Sequence, residues 1–122
     1  MTPVSTDLAL VVVSYRSHQL LARNLAPLAT AVSARVVVVD NWSDADEREA
    51  VHRLADEQGW QVLDAPNDGF GAGANLAAAA ALDAGAQVLA VLNPDLTLEP
   101  DHLIGLVDEV RADPSSIHCE TR

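Results

Sequence analysis

Lysine is absent from this chain of 122 residues, aromatic side chains make up 3% of it, and Cys119 is its single cysteine. Each shortage excludes something. One cysteine permits no internal disulfide and no cysteine-based zinc site, which fits a reducing compartment. The arginines face 18 acidic residues, for a formal net charge of -11. A field of that sign argues against a nucleic-acid backbone or an anionic membrane surface as partner. A phosphate-bearing ligand then requires a cation or a helix N-terminus to offset it. The opening residues carry no basic n-region, and the apolar runs fall far short of a membrane span. The expected location is the cytoplasm, with peripheral association at the inner membrane face left open.

What the chain does have is a globular composition, 49% hydrophobic and 20% charged. At this length one domain is expected, burying about two-thirds of its unfolded surface. Four short apolar runs, at residues 8–13, 35–39, 60–65 and 88–95, read as strands. The last, from Val88 to the tip Asn93, Pro94 and Asp95, is continuous enough to read as buried on both faces. Between the strands lie helical patterns. Ser17 is a fair N-cap for a helix carrying Leu21, Leu25, Leu28 and Val32, which Pro27 should kink or split. A second helix spans residues 47–58 with Gly59 as its left-handed cap, a third residues 76–84, and a last one opens at Pro100. Such alternation implies a Rossmann-like α/β fold, a mostly parallel sheet with helices on both faces. The domain is expected over residues 1–114, with 115–122 as a frayed tail.

In a parallel sheet every strand's carboxyl end points the same way, so the polar tips collect along one edge. They are Ser14 and Tyr15, then Asp40 and Asn41, then the glycine-rich turn of residues 69–75, then Asn93 and Asp95. Pro94 has no N–H for a ladder, so pairing should stop before Asp95, whose carboxylate can hold a divalent cation bridged to phosphates. Glycines ahead of a helix let backbone approach an anion, yet they serve equally in a tight turn against an alanine-rich helix. Asp40 and Asn41 likewise serve as a plain helix-entry turn. His18, His52, His102 and His118 share no ligand spacing and read as surface residues. Ser14 lacks the nucleophile elbow of a hydrolase.

Taken together, residues 10–16, the Val39, Asp40, Asn41 and Ser43 stretch, the block from Asn67 to Asn75, and Leu92 to Asp95 resemble the inverting family 2 glycosyltransferases of the GT-A fold. They are most similar to the bacterial rhamnosyltransferase-like branch, over about residues 8–114. The resemblance implies the nucleotide-binding half of that fold, taking a nucleotide-diphosphate sugar as donor and a glycan or lipid-linked glycan as acceptor. It implies that Tyr15 and Asp40 meet the base and ribose of the nucleotide, with Ser14, Asn41 and Ser43 also among the residues that bind the nucleotide sugar. Asn67, Gly69, Phe70, Gly73 and Asn75 would line the donor pocket. Asn93 and Asp95 would stand where the family has its Asp-x-Asp motif, Asp95 holding Mg²⁺ or Mn²⁺. Asn93 in place of the first aspartate leaves one carboxylate, Trp42 stands where a small residue is usual, and Ala45 where aspartate is usual. Family members continue for roughly another domain, which carries the general base and the acceptor site. A donor-binding half of a transferase is therefore expected, with an exposed apolar sheet edge that favours self-association. Two other readings remain: a dinucleotide-binding domain on Gly69, Gly71 and Ala74 with Asp95 as the ribose acid, or a non-catalytic nucleotide-binding module.

Overall fold

The computed structural model describes residues 5–41, 44–65, 70–95 and 97–112. Four strands, β1 (Ser5–Ser14), β2 (Ala34–Asn41), β3 (Gln61–Ala65) and β4 (Val88–Leu92), form one parallel sheet in the order β3-β2-β1-β4. β1 lies in the interior and pairs on both sides, Val11 standing opposite Val37 of β2 and Val91 of β4. From β1 the chain steps outward to β2 and β3, then returns across the sheet to place β4 on the other side of β1. That reversal makes the carboxyl ends of β1 and β4 the topological switch point, where an open α/β sheet leaves a crevice.

Period-two side chains send the two faces of β1 and β2 into two separate cores. On one face Leu8, Leu10, Val12, Val36 and Val38 pack with Leu21, Leu25, Leu28, Val51, Leu103 and Val107 from the helices. On the other, Ala9, Val11, Val13, Val37 and Val39 meet Ala77 and Ala81. The helices are therefore divided between the faces: α1 (His18–Leu20), α2 (Ala26–Val32), α3 (Ala45–Gln58) and α5 (Pro100–Ala112) against α4 (Phe70–Asp83) alone. Gly59 closes α3 in the left-handed conformation, φ 76°, as its position after the periodic stretch predicts.

The helix carrying Pro27 is in short pieces, as its proline predicts: a π-helical turn at Leu21–Leu25 stands between α1 and α2, with the Ala26 N–H reaching back to the Leu21 carbonyl. Pro27 lies in the first turn of α2, where its missing N–H costs least. Three other local expectations change. α4 starts at Phe70, six residues before the expected helix, so Gly71, Gly73 and Asn75 are helical and not part of a turn. Asp40 and Asn41 are buried residues of β2, not a turn beyond it. β4 ends at Leu92 and is not buried on both faces, since Val91 is 48% exposed. It pairs only with β1 among the described residues, and on its open face α4 also leaves Leu76 and Leu82 exposed. The expected tail of residues 115–122 lies outside the described residues.

Gly73 explains how α4 sits so low on the sheet. A Cβ there would stand 3.2 Å from both methyl groups of Val13 and 3.4 Å from Val39 Cγ1. β-branched valines in paired strands have little freedom to withdraw. Gly73→Val is expected to lose about 1–3 kcal/mol of stability by overpacking, read from urea denaturation with the circular-dichroism signal as probe. A midpoint equal to the parent's would mean that α4 does not rest on these two strands.

Candidate functional site

The site is built where three parallel strands end side by side. Ser14 closes β1 and stands in register with Asp40 of β2, which in turn stands opposite Asp64 of β3. Ser14 and Asp40 are fully buried and Asn41 nearly so, at 4% exposure. Among the described residues, the Ser14 hydroxyl and both carboxylate oxygens of Asp40 have no hydrogen-bond partner. Buried polar atoms are normally satisfied, because an unmade bond leaves a desolvation cost of about 1–3 kcal/mol. Two acceptor oxygens beside a hydroxyl thus form a place for a donor-bearing group.

Tyr15, 47% exposed, follows Ser14, and Arg16 lies over its ring with the guanidinium carbon 5.6 Å from the centroid. Arg16 adopts a left-handed backbone, φ 53°, a conformation that costs a non-glycine residue roughly 1–3 kcal/mol. Ser17 does not cap α1. Its hydroxyl donates instead to the Tyr15 carbonyl, 2.7 Å away. The turn that carries Tyr15 is therefore held from within.

On the far side of β1, Asn93 and Asp95 are exposed beyond the end of β4. Their tip is anchored from behind by Asn24 of the π-helical turn, whose amide donates to the Pro94 carbonyl at 3.0 Å. Asn75 is exposed on the second turn of α4, two residues from the Gly73 contact with Val13 and Val39. Ser43, Asn67 and Gly69 lie outside the described residues, as does the side chain of Phe70. Among the described residues, no group of three or more His, Cys, Asp and Glu is arranged to hold a metal ion. The exposed Asp95 carboxylate is nonetheless a hard oxygen donor of the type that Mg²⁺ and Mn²⁺ take.

Sequence reasoning passed over a group of charges beside Asp40. His52 and Arg48, four residues apart on α3, both reach Asp64, at 2.8 Å and 3.1 Å. Glu47 holds His18 at 2.6 Å. The i,i+4 spacing of Arg48 and His52 was visible in the sequence; the carboxylate they share was not. Burial would raise the Asp64 carboxyl, but hydrogen bonds from His52 and Arg48 outweigh it and hold the group below 3.8. Asp40 moves the other way. Burial first, then repulsion from Asp64 and Glu47, lifts its pKa from 3.8 to about 6, against the pull of His52 and Arg48.

A cavity of about 330 Å³ lies elsewhere, lined by Thr30, Arg35, Gln58 and Trp60 among others. These residues surround the amino ends of β2 and β3, opposite the carboxyl rim. It holds one charged side chain and no acid or base pair, so volume and chemistry point to different ends of the sheet. The rim has the chemistry.

The Glycosyl transferase family 2 model matches residues 9–122. No curated protein matches the chain. Among solved structures, the mannosyltransferase PcManGT from Pyrobaculum calidifontis, in complex with GDP-Man and Mn²⁺, aligns with a TM-score of 0.74 at 21% identity. It covers 95% of this chain and 36% of that one. TarS 1-349 of S. aureus, in complex with UDP, aligns with a TM-score of 0.66 at 19% identity, over 87% of this chain and 32% of that one. The chain thus spans about a third of the length of these structures, and at such identities the likeness is one of fold.

A raised carboxyl pKa has a definite consequence for stability. Between 3.8 and about 6 the folded state binds more protons at Asp40 than the unfolded state, so stability falls as pH rises through that window. Asp40→Asn is expected to be the more stable protein at pH 7, by about 3 kcal/mol at most, and to lose this part of the pH dependence. Urea titrations at pH 4 and pH 7 check it; an asparagine variant less stable at pH 7 would show that the carboxylate has a partner.

Proposed function

The chain belongs to glycosyl transferase family 2, and from that premise we propose that it carries the donor-binding half of an inverting, nucleotide-sugar-dependent glycosyltransferase. The observation that carries the reading is the pair Ser14 and Asp40, buried, in register and, among the described residues, unpartnered at the carboxyl ends of adjacent parallel strands. The nucleoside lies across those ends, with Tyr15 against it and a base N–H donating to Asp40. The diphosphate extends across β1 toward the switch point. Asn75 on α4 and Asn93 at the β4 tip border the donor, together with Ser43, Asn67, Gly69, Phe70 and Gly73.

Asp95 holds Mg²⁺ or Mn²⁺ against the diphosphate. When bound, such an ion supplies the Lewis acid that offsets charge developing on the departing nucleoside diphosphate. With a formal net charge of -11, the chain itself repels a diphosphate. A cation at the rim reverses that locally. The solved structure of similar fold that contains GDP-Man and Mn²⁺ supports the pairing of donor and metal. The acceptor hydroxyl and the general base that deprotonates it belong to a part of the enzyme beyond these residues, and the donor-binding portion occupies residues 1–114. We assign the chain to the rhamnosyltransferase-like branch, acting on glycan or lipid-linked glycan acceptors on the cytoplasmic side of the membrane. No helix among the described residues is long and apolar enough to cross it.

UDP or GDP with Mn²⁺ is expected to raise the melting temperature. A ligand at a hundred times its Kd adds about 2.7 kcal/mol to the folded state. Asp95→Ala should keep the increment seen with nucleotide alone and lose the further increment that Mn²⁺ brings. Equal protection with and without metal in both proteins would remove Asp95 from the site.

A further inference from the structure

The amino end of α3 is capped in an unusual way. Asp44 is the N-cap, and its carboxylate accepts from the Glu47 N–H at 2.8 Å. Glu47 is thus the third residue of the helix, the position whose side chain in a capping box turns back to the N-cap's own N–H. Here it does not. The Glu47 carboxylate reaches instead to a residue 29 positions earlier in the chain, accepting from the His18 N–H at 3.0 Å and pairing with His18 Nδ1 at 2.6 Å. One acidic side chain therefore supplies the cap of α1 that Ser17 leaves unmade.

The two ends joined in this way are the two walls of the rim. Immediately before His18 come Tyr15, the left-handed Arg16 and Ser17, and Asp44 stands three residues after Asn41 in the chain. The Glu47 side chain is 10% exposed, so its hydrogen bonds to His18 are shielded from water on one partner. Held conformations of the Arg16 kind persist only where neighbouring structure fixes them. Glu49, on the same helix, makes a pair of the ordinary kind with Arg53, both more than half exposed.

We infer that Glu47 is a positioning residue: by tying the start of α1 to the start of α3, it holds the Tyr15 and Asp40 tips at the separation a nucleoside diphosphate requires. The inference rests on the donor-binding reading above. A ligand gripped between two tips loses affinity when their spacing is free to vary, because the ordering is then drawn from binding energy. Glu47 touches no ligand in this account; its effect passes through His18 and the turn before it.

The test is calorimetric titration of UDP or GDP, with Mn²⁺ present, at a temperature where every variant is folded. Glu47→Ala is expected to weaken binding roughly ten-fold, the scale of one lost charged hydrogen bond. Glu47→Gln keeps an acceptor for the His18 N–H and should recover most of that loss. Glu49→Ala should bind as the parent does. His18→Ala, at a residue exposed enough to tolerate the change, should weaken binding by a smaller factor, and it carries the test if Glu47→Ala does not fold. Parental affinity in both Glu47→Ala and His18→Ala, even with a lowered melting temperature, would overturn the inference and leave Glu47 a structural cap. A glutamine variant as weak as the alanine variant would overturn it too, since the acceptor geometry is retained. If the parent binds neither nucleotide, the donor-binding reading itself falls, and this inference with it.

Discussion

The structure depends on β1 being paired in parallel on both sides at once. Its hydrogen-bond ladders set Ser14 level with Asp40 and bring the end of β4 alongside, so three chain segments far apart in sequence share one edge. The apolar residues that make this possible are small and branched. Alanine and valine on the α4 face let helix and sheet come close, so that a methyl group at Gly73 would be tight against Val13. Leucines fill the wider space on the other face. A buried strand ending in a buried carboxylate is then unavoidable: the pairing that orders the rim also removes Asp40 from water.

That burial is the tension in the molecule. A buried carboxylate with no partner among the described residues, beside Asp64 and Glu47, weakens the folded state at neutral pH. A buried acid that the fold leaves unsatisfied is the kind of local inconsistency that a binding site produces. The neighbouring charges are handled differently. His52 and Arg48 neutralise Asp64, and His18 engages Glu47, so Asp40 is the acid left to meet an incoming group.

Most of the architecture was legible in the chain. Valine runs and the punctuation between them give four strands, their parallel order and helices on both faces, because a buried strand and an amphipathic helix leave distinct periods. What was not legible has physical reasons. Glycine and alanine in residues 70–75 look like a turn by propensity, yet tertiary contact with Val13 and Val39 makes them helix. Asp40 and Asn41 look like turn residues by composition, yet the β3 ladder continues through them. The edge position of β4 was hidden because a run of apolar residues does not say how many neighbours a strand has. At the site, the tips were readable as a set, whereas the ties that hold them, Glu47 to His18 and Asn24 to the Pro94 carbonyl, join residues 29 and 70 positions apart and leave no local trace.

Two ends of one sheet are candidates for the ligand: the carboxyl rim, which has the chemistry, and a cavity at the amino ends of β2 and β3 with one arginine. Backbone amide resonances of this chain, followed while a nucleoside diphosphate and Mg²⁺ are added, distinguish them directly. The account predicts that the shifts that move lie at Tyr15, Asn41, Asn75 and Asp95, on the carboxyl side of all the strands. Movement concentrated at Arg35, Gly59 and Trp60, with the rim unchanged, would contradict it.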